Sequence, residues 1–348
     1  MALRVANTRA SHDRIPVVDG HCDLPLAVSR AADVRGDVPA LGTMAVGRAI
    51  RDGGVRVVVS PTWVELEHAP EALRRALIAY VRLERAVAQS PQEFAIVTSG
   101  TQLRRTVDGG RTALVLGLEG CVPLGYDPAL LDVFVRLGAR VVALTWNERN
   151  AFASGAKQDA REGLSPLGQA LVREGDRLGV VWDASHLNER SFWDLIEAST
   201  GPIVASHSNC QALFMQGRNL TDDQIRAIAK RGGIVSLMIQ SFAMSPKIAT
   251  MDEFLRHVEH AVSLAGVEHV GFGYDFTTFI DGIYLMKLDY LPPDGPPEEN
   301  MHKTVAEIPT HAELPRLTEA LLSRGFSERD TARLMGGNWF EFLAATLK

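Results

Sequence analysis

Eight short runs of β-branched and aliphatic residues recur along this 348-residue chain, and most are followed by a stretch with the 3.6-residue periodicity of an amphipathic helix. The runs span residues 15–23, 55–62, 112–119, 140–147, 180–186, 202–207, 234–239 and 269–275. Helical patterns occupy residues 71–89, 128–137, 166–178, 190–198, 222–230 and 252–265, and two more follow near 314–323 and 328–347. Strands that are apolar throughout and alternate with helices belong to a parallel sheet covered on both faces. Eight such units predict a (β/α)8 TIM barrel, a fold of roughly 250 residues or more with insertions, as one domain over residues 1–348. An open doubly wound sheet is the rival, but it calls for a glycine fingerprint after the first strand. Here that place reads Asp19-Gly20-His21-Cys22-Asp23, which is no phosphate cradle. Residues 94–98 form a possible ninth strand or edge ribbon.

Two stretches, 150–163 and the proline-rich 277–309, read as loop insertions after strands, at the C-terminal face where barrels keep their active sites. They are expected to be lids or substrate-shaping loops, or else plain surface excursions. With 36 Lys plus Arg against 42 Asp plus Glu, the net charge is −6. That balance gives no electrostatic reason to bind nucleic acid or an anionic membrane, so a small molecule or another protein is the expected partner. No apolar run approaches the ~18–20 residues of a membrane span, and residues 1–16 contain no secretory apolar core. Three cysteines make no disulfide scaffold. A cytoplasmic enzyme is the expectation.

The chemistry lies in what stands at the strand ends. His21 and Asp23 close the first run, Glu119 the third, His186 the fifth, His207 the sixth and Asp275 the eighth. Any one of them has an innocent structural explanation. Six metal-capable side chains at corresponding ends of different strands point instead to a metal centre. If the first run is extended through residue 23, His21 and Asp23 share one face while Cys22 turns away. Three histidines with several carboxylates suit zinc, with manganese or cobalt as alternatives, and a bridging carboxylate makes two ions feasible.

The segments Asp19-Gly20-His21-Cys22-Asp23-Leu24-Pro25, Gly117-Leu118-Glu119-Gly120, Leu144-Thr145-Trp146-Asn147, Asp183-Ala184-Ser185-His186 and Ser206-His207-Ser208 carry a family likeness. Arg218-Asn219, residues 271–276, residues 317–322 and Gly336-Gly337-Asn338 continue it. In order and spacing the chain resembles the renal or membrane dipeptidase family of the metal-dependent amidohydrolase superfamily, from Val17 to Leu343. The resemblance implies a barrel with two zinc ions, one held by His21 and Asp23, the other by His186 and His207, with Glu119 bridging. It further implies that Arg218 grips the free carboxylate of a dipeptide, including one with a C-terminal D-residue, and that Asp275 handles the proton. Family members often pair as homodimers. These roles make chemical sense: two cations sharing a water lower its pKa toward neutrality, and a guanidinium fork binds both oxygens of a carboxylate.

One departure stands out. After the fourth strand the better-known dipeptidases read Leu-Thr-His, whereas Trp146 occupies that place here. An indole N–H donates a hydrogen bond but carries no positive charge, so oxyanion stabilisation falls to another donor, for which Asn147 is the nearest candidate. Trp146 therefore keeps open a different carboxylate-bearing amide as substrate, such as an N-acyl amino acid or a lactam. A barrel that binds metal without catalysis is the remaining alternative. His257 and His260 are expected in packing or solvated roles, and His302 and His311, in or just after the late insertion, are candidates to line a pocket. Cys22, Cys121 and Cys210 each lie within three residues of a proposed ligand, so thiol reagents are expected to disturb the site or else to find buried packing residues.

Overall fold

The computed structural model describes residues 11–279 and 303–348. The valine-rich runs form parallel strands: β1 (Val17–Asp19), β2 (Val55–Trp63), β3 (Phe94–Ile96), β4 (Thr112–Glu119), β5 (Ala139–Ala143), β6 (Val181–Asp183), β7 (Ile203–Val204), β8 (Val235–Leu237) and β9 (Val270–Phe272). One sheet runs β1-β2-β4-β5-β6-β7, and β8 pairs with β9. Backbone hydrogen bonds join the two pieces. The Ser236 N–H donates to Ala205 O at 2.8 Å on one side, and the Gly20 N–H donates to Phe272 O at 2.8 Å on the other. The sheet therefore curls into an eight-strand barrel, as its alternating sequence predicts. The extra strand, β3, pairs with Thr112–Leu114 at the start of β4, and β5 takes up the pairing from Leu116.

Around the strands lie helices α1 (Leu24–Arg35), α2 (Ala45–Asp52), α3 (Ala72–Ala88), α4 (Gly100–Asp108), α5 (Leu130–Arg136), α6 (Pro166–Leu178), α7 (Glu189–Ala198), α8 (Asp222–Lys230) and α9 (Met251–Ala265). The chain ends in α10 (Leu314–Arg324), α11 (Glu328–Ala332) and α12 (Asn338–Thr346). Caps set many of the starts. Thr221 and Thr250 form reciprocal capping boxes with Gln224 and Glu253, and Ser165 caps α6 ahead of Pro166. Helices α1, α2 and α4 lie in stretches where the sequence pattern marks none. The helix expected over 328–347 is broken by a π turn at Arg333–Gly337. There Gly336 lies so close to the start of β1 that an added Cβ would stand 2.1 Å from Pro16 O. Among the described residues no helix is long and apolar enough to cross a membrane. Of the late insertion, residues 280–302, with His302, lie outside the described residues.

Alternation along the strands divides the core in two. Val17, Val58, Leu114, Val142 and Phe272 pack outward with the helices. Val18, Val57, Val59, Ala113, Val115, Val141, Val181, Val204 and Ile234 form a separate cluster with Trp339, Phe340, Leu343 and Leu347. Helix α12 thus supplies side chains to the inner cluster. The Trp339 indole N–H donates to Ser236 Oγ at 2.7 Å, and its ring lies so close to Gly271 that an added Cβ would stand 2.7 Å away. Trp339→Ala is expected to cost about 3–5 kcal/mol, the usual range for emptying a buried aromatic site, measured by chemical denaturation; Trp339→Phe should cost less while leaving Ser236 unpaired.

Candidate metal centre

The same alternation that sends Val115 inward carries Glu119 to the top of the inner face, four residues later on β4. The other expected ligands stand beyond their strands rather than on them. Strand β1 ends at Asp19, β6 at Asp183, β7 at Val204 and β9 at Phe272. His21 and Asp23 therefore do not meet through strand pleating; Asp23 is the residue that opens α1, four residues past the strand end. His186 and Asp275 adopt left-handed backbone, with φ of 71° and 56°, and are the only non-glycine residues to do so among the described residues. Such conformations cost free energy and cluster at functional sites.

These loops bring the groups together. Glu119 Oε1 lies 2.8 Å from His186 Nε2 and 3.6 Å from both His21 Nε2 and His207 Nε2. His186 Nε2 and His207 Nε2 are 2.8 Å apart, and His21 Nε2 is 3.9 Å from Asp23 Oδ2. Ligand-capable atoms of His21, Asp23 and Asp275 lie within 4.8 Å of one another, as do those of His21, Glu119 and His207. All six residues expected from the strand ends thus meet in one place.

The outer edges of the rings are held by hydrogen bonds. His186 Nδ1 lies 2.9 Å from Asn147 Oδ1, an acceptor, and His207 Nδ1 lies 2.7 Å from Ser206 Oγ. A ring that carries its proton on Nδ1 turns its Nε2 lone pair toward the Glu119 carboxylate. His21 Nε2 and Asp23 Oδ1 are buried and lack a hydrogen-bond partner among the described residues. Converging lone pairs and carboxylates in a buried setting fit a divalent cation.

Electrostatics agree with that fit. Burial pushes His21 down to about 3, with the Arg218 charge adding to it. Burial likewise holds His186 and His207 well below the usual imidazole range. All three are neutral at physiological pH, as ligands must be. The carboxyls move the other way: burial and the charge of Asp19 push Asp23 up to about 7. Glu119 and Asp275 are raised well above the carboxylate range by burial and then by Asp23, with Arg218 opposing.

Arg218, only 5% exposed, donates from Nη2 to His207 O at 3.3 Å, so its charge sits against the ligand segment. The Trp146 ring centroid is 5.0 Å from that of Trp63 and 5.9 Å from that of His186, with Lys157 Nζ 5.2 Å over the indole. The 150–163 insertion thus packs against the site. Its Ala156 N–H donates to His186 O at 2.7 Å. Asn147, the nearest candidate for an oxyanion donor, has its amide oxygen against His186 Nδ1.

Asp19 was not among the expected site residues. Its Oδ1 accepts from the N–H groups of His21 and Tyr274 at 3.0 and 2.9 Å, and its Oδ2 pairs with His311 Nε2 at 2.7 Å. It braces the ends of β1 and β9 from below, and His311 is a buried partner of that brace. The signal was its place in the segment that carries His21. His257 Nδ1 accepts from the Cys210 N–H, and His260 pairs with Asp222 at 2.8 Å, which are packing roles. All three cysteines are buried; burial pushes Cys210 up to about 12 and Cys22 and Cys121 higher than ordinary thiols, so these thiols are poor nucleophiles in the folded protein.

A family model described as membrane dipeptidase, peptidase family M19, matches residues 5–287. An uncharacterized protein in the pqqA 5′ region of Klebsiella pneumoniae is 30% identical over 75% of this chain and 92% of its own. The dipeptidase tcpJ of Claviceps purpurea is 28% identical over 74% of this chain and 56% of its own length. Among solved structures, the metallo peptidase of family M19 called dipeptidase AC superposes with a TM-score of 0.81 at 26% identity, covering 96% of this chain and 99% of that one. A Rhodobacter sphaeroides metallo peptidase liganded with a phosphinate mimic of the dipeptide L-Ala-D-Ala gives 0.81 at 24% identity, with 96% and 99% coverage.

In metal-free protein, the raised Asp23 contributes stability that is complete below the unfolded carboxyl value and is lost as pH rises through about 7. A bound cation removes that loss and binds more tightly as the protons leave. The gap in Tm between metal-loaded and chelator-stripped protein is therefore expected to widen by several degrees from about pH 5 to about pH 8. A gap that is flat or narrows with pH would show that this cluster does not take the ion.

Proposed function

The chain belongs to the membrane dipeptidase family, peptidase family M19, and on that premise we propose that its site hydrolyses the amide bond of dipeptides with the help of two zinc ions. One observation carries the reading: three neutral imidazole Nε2 atoms surround the Glu119 carboxylate, beside a buried arginine. As a metal-dependent dipeptidase, the protein would hold one ion with His21 and Asp23 and the other with His186 and His207, and Glu119 would be available to both. Bound there, such ions lower the pKa of a water toward neutrality and polarise the scissile carbonyl.

The chain's own groups do the rest. Arg218 binds the substrate's free carboxylate; its planar fork suits two oxygens, and its burial strengthens the pairing. A carboxylate held there is oriented against the ligand segment, because Arg218 is itself tied to His207 O. Asp275, grouped with His21 and Asp23, accepts the proton of the attacking water and delivers it to the leaving amine. Its raised affinity for a proton suits that exchange. The phosphinate dipeptide mimic bound by the Rhodobacter relative supports substrates with a C-terminal D-residue.

Trp146 favours a second reading within the same chemistry. Its indole, packed between Trp63 and His186 under Lys157, gives the pocket an aromatic wall where the resemblance leads one to expect a histidine. An N-acyl amino acid or a lactam would offer such a wall an apolar group while keeping the carboxylate for Arg218.

The test is a panel of L,L- and L,D-dipeptides, N-acyl amino acids and lactams assayed with zinc-loaded protein. Turnover of dipeptides is expected, and a protein that binds two ions yet cleaves none of them would overturn the reading. Arg218→Met is expected to lower kcat/KM by roughly 30-fold to several thousand-fold, the equivalent of about 2–5 kcal/mol for a truncated buried charge pair. Its metal content should stay unchanged. Loss of metal from that variant would mean that Arg218 supports the ligands rather than the substrate.

A further inference from the structure

Beneath the ligands, two interior side chains that are not ligands themselves meet. Asp183 ends β6, two residues after the inward-facing Val181, and Ser206 lies two residues after the inward-facing Val204 of β7. Asp183 is 4% exposed and Ser206 is fully buried. Asp183 Oδ1 accepts from the backbone N–H of Ser185 at 3.0 Å and of Ser206 at 2.9 Å. That leaves Oδ2 to accept the Ser206 hydroxyl proton. Ser206 Oγ in turn lies 2.7 Å from His207 Nδ1 and 3.3 Å from His21 Nδ1, and the two rings stand side by side with centroids 3.8 Å apart.

A hydroxyl has one proton and two lone pairs. Here the proton is committed to Asp183, so both lone pairs are left for imidazole N–H groups. We propose that Ser206, oriented by Asp183, is the positioning residue that holds both His21 and His207 in the Nδ1–H tautomer, and so presents both Nε2 lone pairs to the metal centre together. This rests on the metal-centre reading above, in which the two histidines serve different ions. One hydroxyl then couples the two ion sites, and an error in the direction of its proton disturbs both.

The direction of that proton can be reversed with almost no change in shape. In Asp183→Asn, the two backbone N–H groups keep the amide oxygen at the Oδ1 place, so the NH2 group faces Ser206. The hydroxyl, now receiving a hydrogen bond from the amide, must send its own proton to Nδ1 of one histidine. That ring then carries its proton on Nε2, where a lone pair is needed. Ser206→Ala removes the shared acceptor altogether. Ser208→Ala is the control, because Ser208 is equally buried and its hydroxyl bonds Ser185 rather than a ligand.

Zinc stoichiometry and affinity are measured by competition with a chromogenic chelator, alongside the melting of the metal-free proteins. Asp183→Asn and Ser206→Ala are expected to bind zinc about 10- to 100-fold more weakly than the parent, the range for lost outer-shell partners. Ser208→Ala should bind it as the parent does. Wild-type affinity in either Asp183→Asn or Ser206→Ala overturns the proposal, and so does equal weakening in Ser208→Ala. A parent protein that takes up no zinc overturns the metal-centre reading itself, which separates the two failures. Should the variants not fold, the zinc-loaded parent with 15N-labelled histidine decides the matter. His21 and His207 are each expected to show an exchange-protected Nδ1 proton with an Overhauser contact to Ser206, and its absence from either ring overturns the proposal.

Discussion

The structure depends on gathering carboxylates and imidazoles in a place that water barely reaches. Burial raises the affinity of Glu119, Asp23 and Asp275 for protons, and neighbouring carboxylates raise it further, Asp19 acting on Asp23 and Asp23 acting on Glu119 and Asp275. The same burial strips His21, His186 and His207 of their charge. Such a cluster is costly in an apolar interior unless positive charge is supplied, and Arg218 is the cation that appears among the influences on all three histidines. The membrane dipeptidase family meets the rest of that demand with metal, and the geometry here is consistent with that solution.

The barrel keeps this polar cluster in place by separating it from an apolar layer of its own interior. Valines from six strands and the Trp339 ring fill the inner cluster, so the strands cannot collapse on one another. Above that layer the inward positions turn polar: Glu119 on β4, Asp183 on β6 and Ser206 just past β7. The regular strands then give way to short irregular segments. Their strained members, His186 and Asp275, hold side chains at angles that a pleated strand does not offer. Asp19 and His311 form a second buried layer of support, linking the ends of β1 and β9 to the segment that follows the late insertion.

Much of this was legible in the chain. The run over 112–119 matches β4, the patterns over 166–178 and 222–230 match α6 and α8, and the run over 94–98 contains β3. The strand-end residues marked as ligands all meet at one centre. The errors have physical causes. Apolar runs overstate strand length because buried loop residues beyond the strand are as apolar as the strand itself; the run over 202–207 holds only two residues of β7. The first run absorbed Asp23, which hid the start of α1. The long final helix breaks at Gly336 because β1 lies against it, a contact no local pattern records.

The sequence by itself determined the alternation of strand and helix, hence the barrel, and the chemical types that stand at the strand ends, because periodicity and residue identity are local properties. Only the tertiary structure decided which atoms face one another. His21 and Asp23 converge through the turn into α1 rather than through a strand. The Asn147 amide oxygen meets His186, and Ser206 receives two histidines 185 and 1 residues away in the chain. Hydrogen-bond direction and proton affinity depend on neighbours that only the closed barrel brings within about 3 Å.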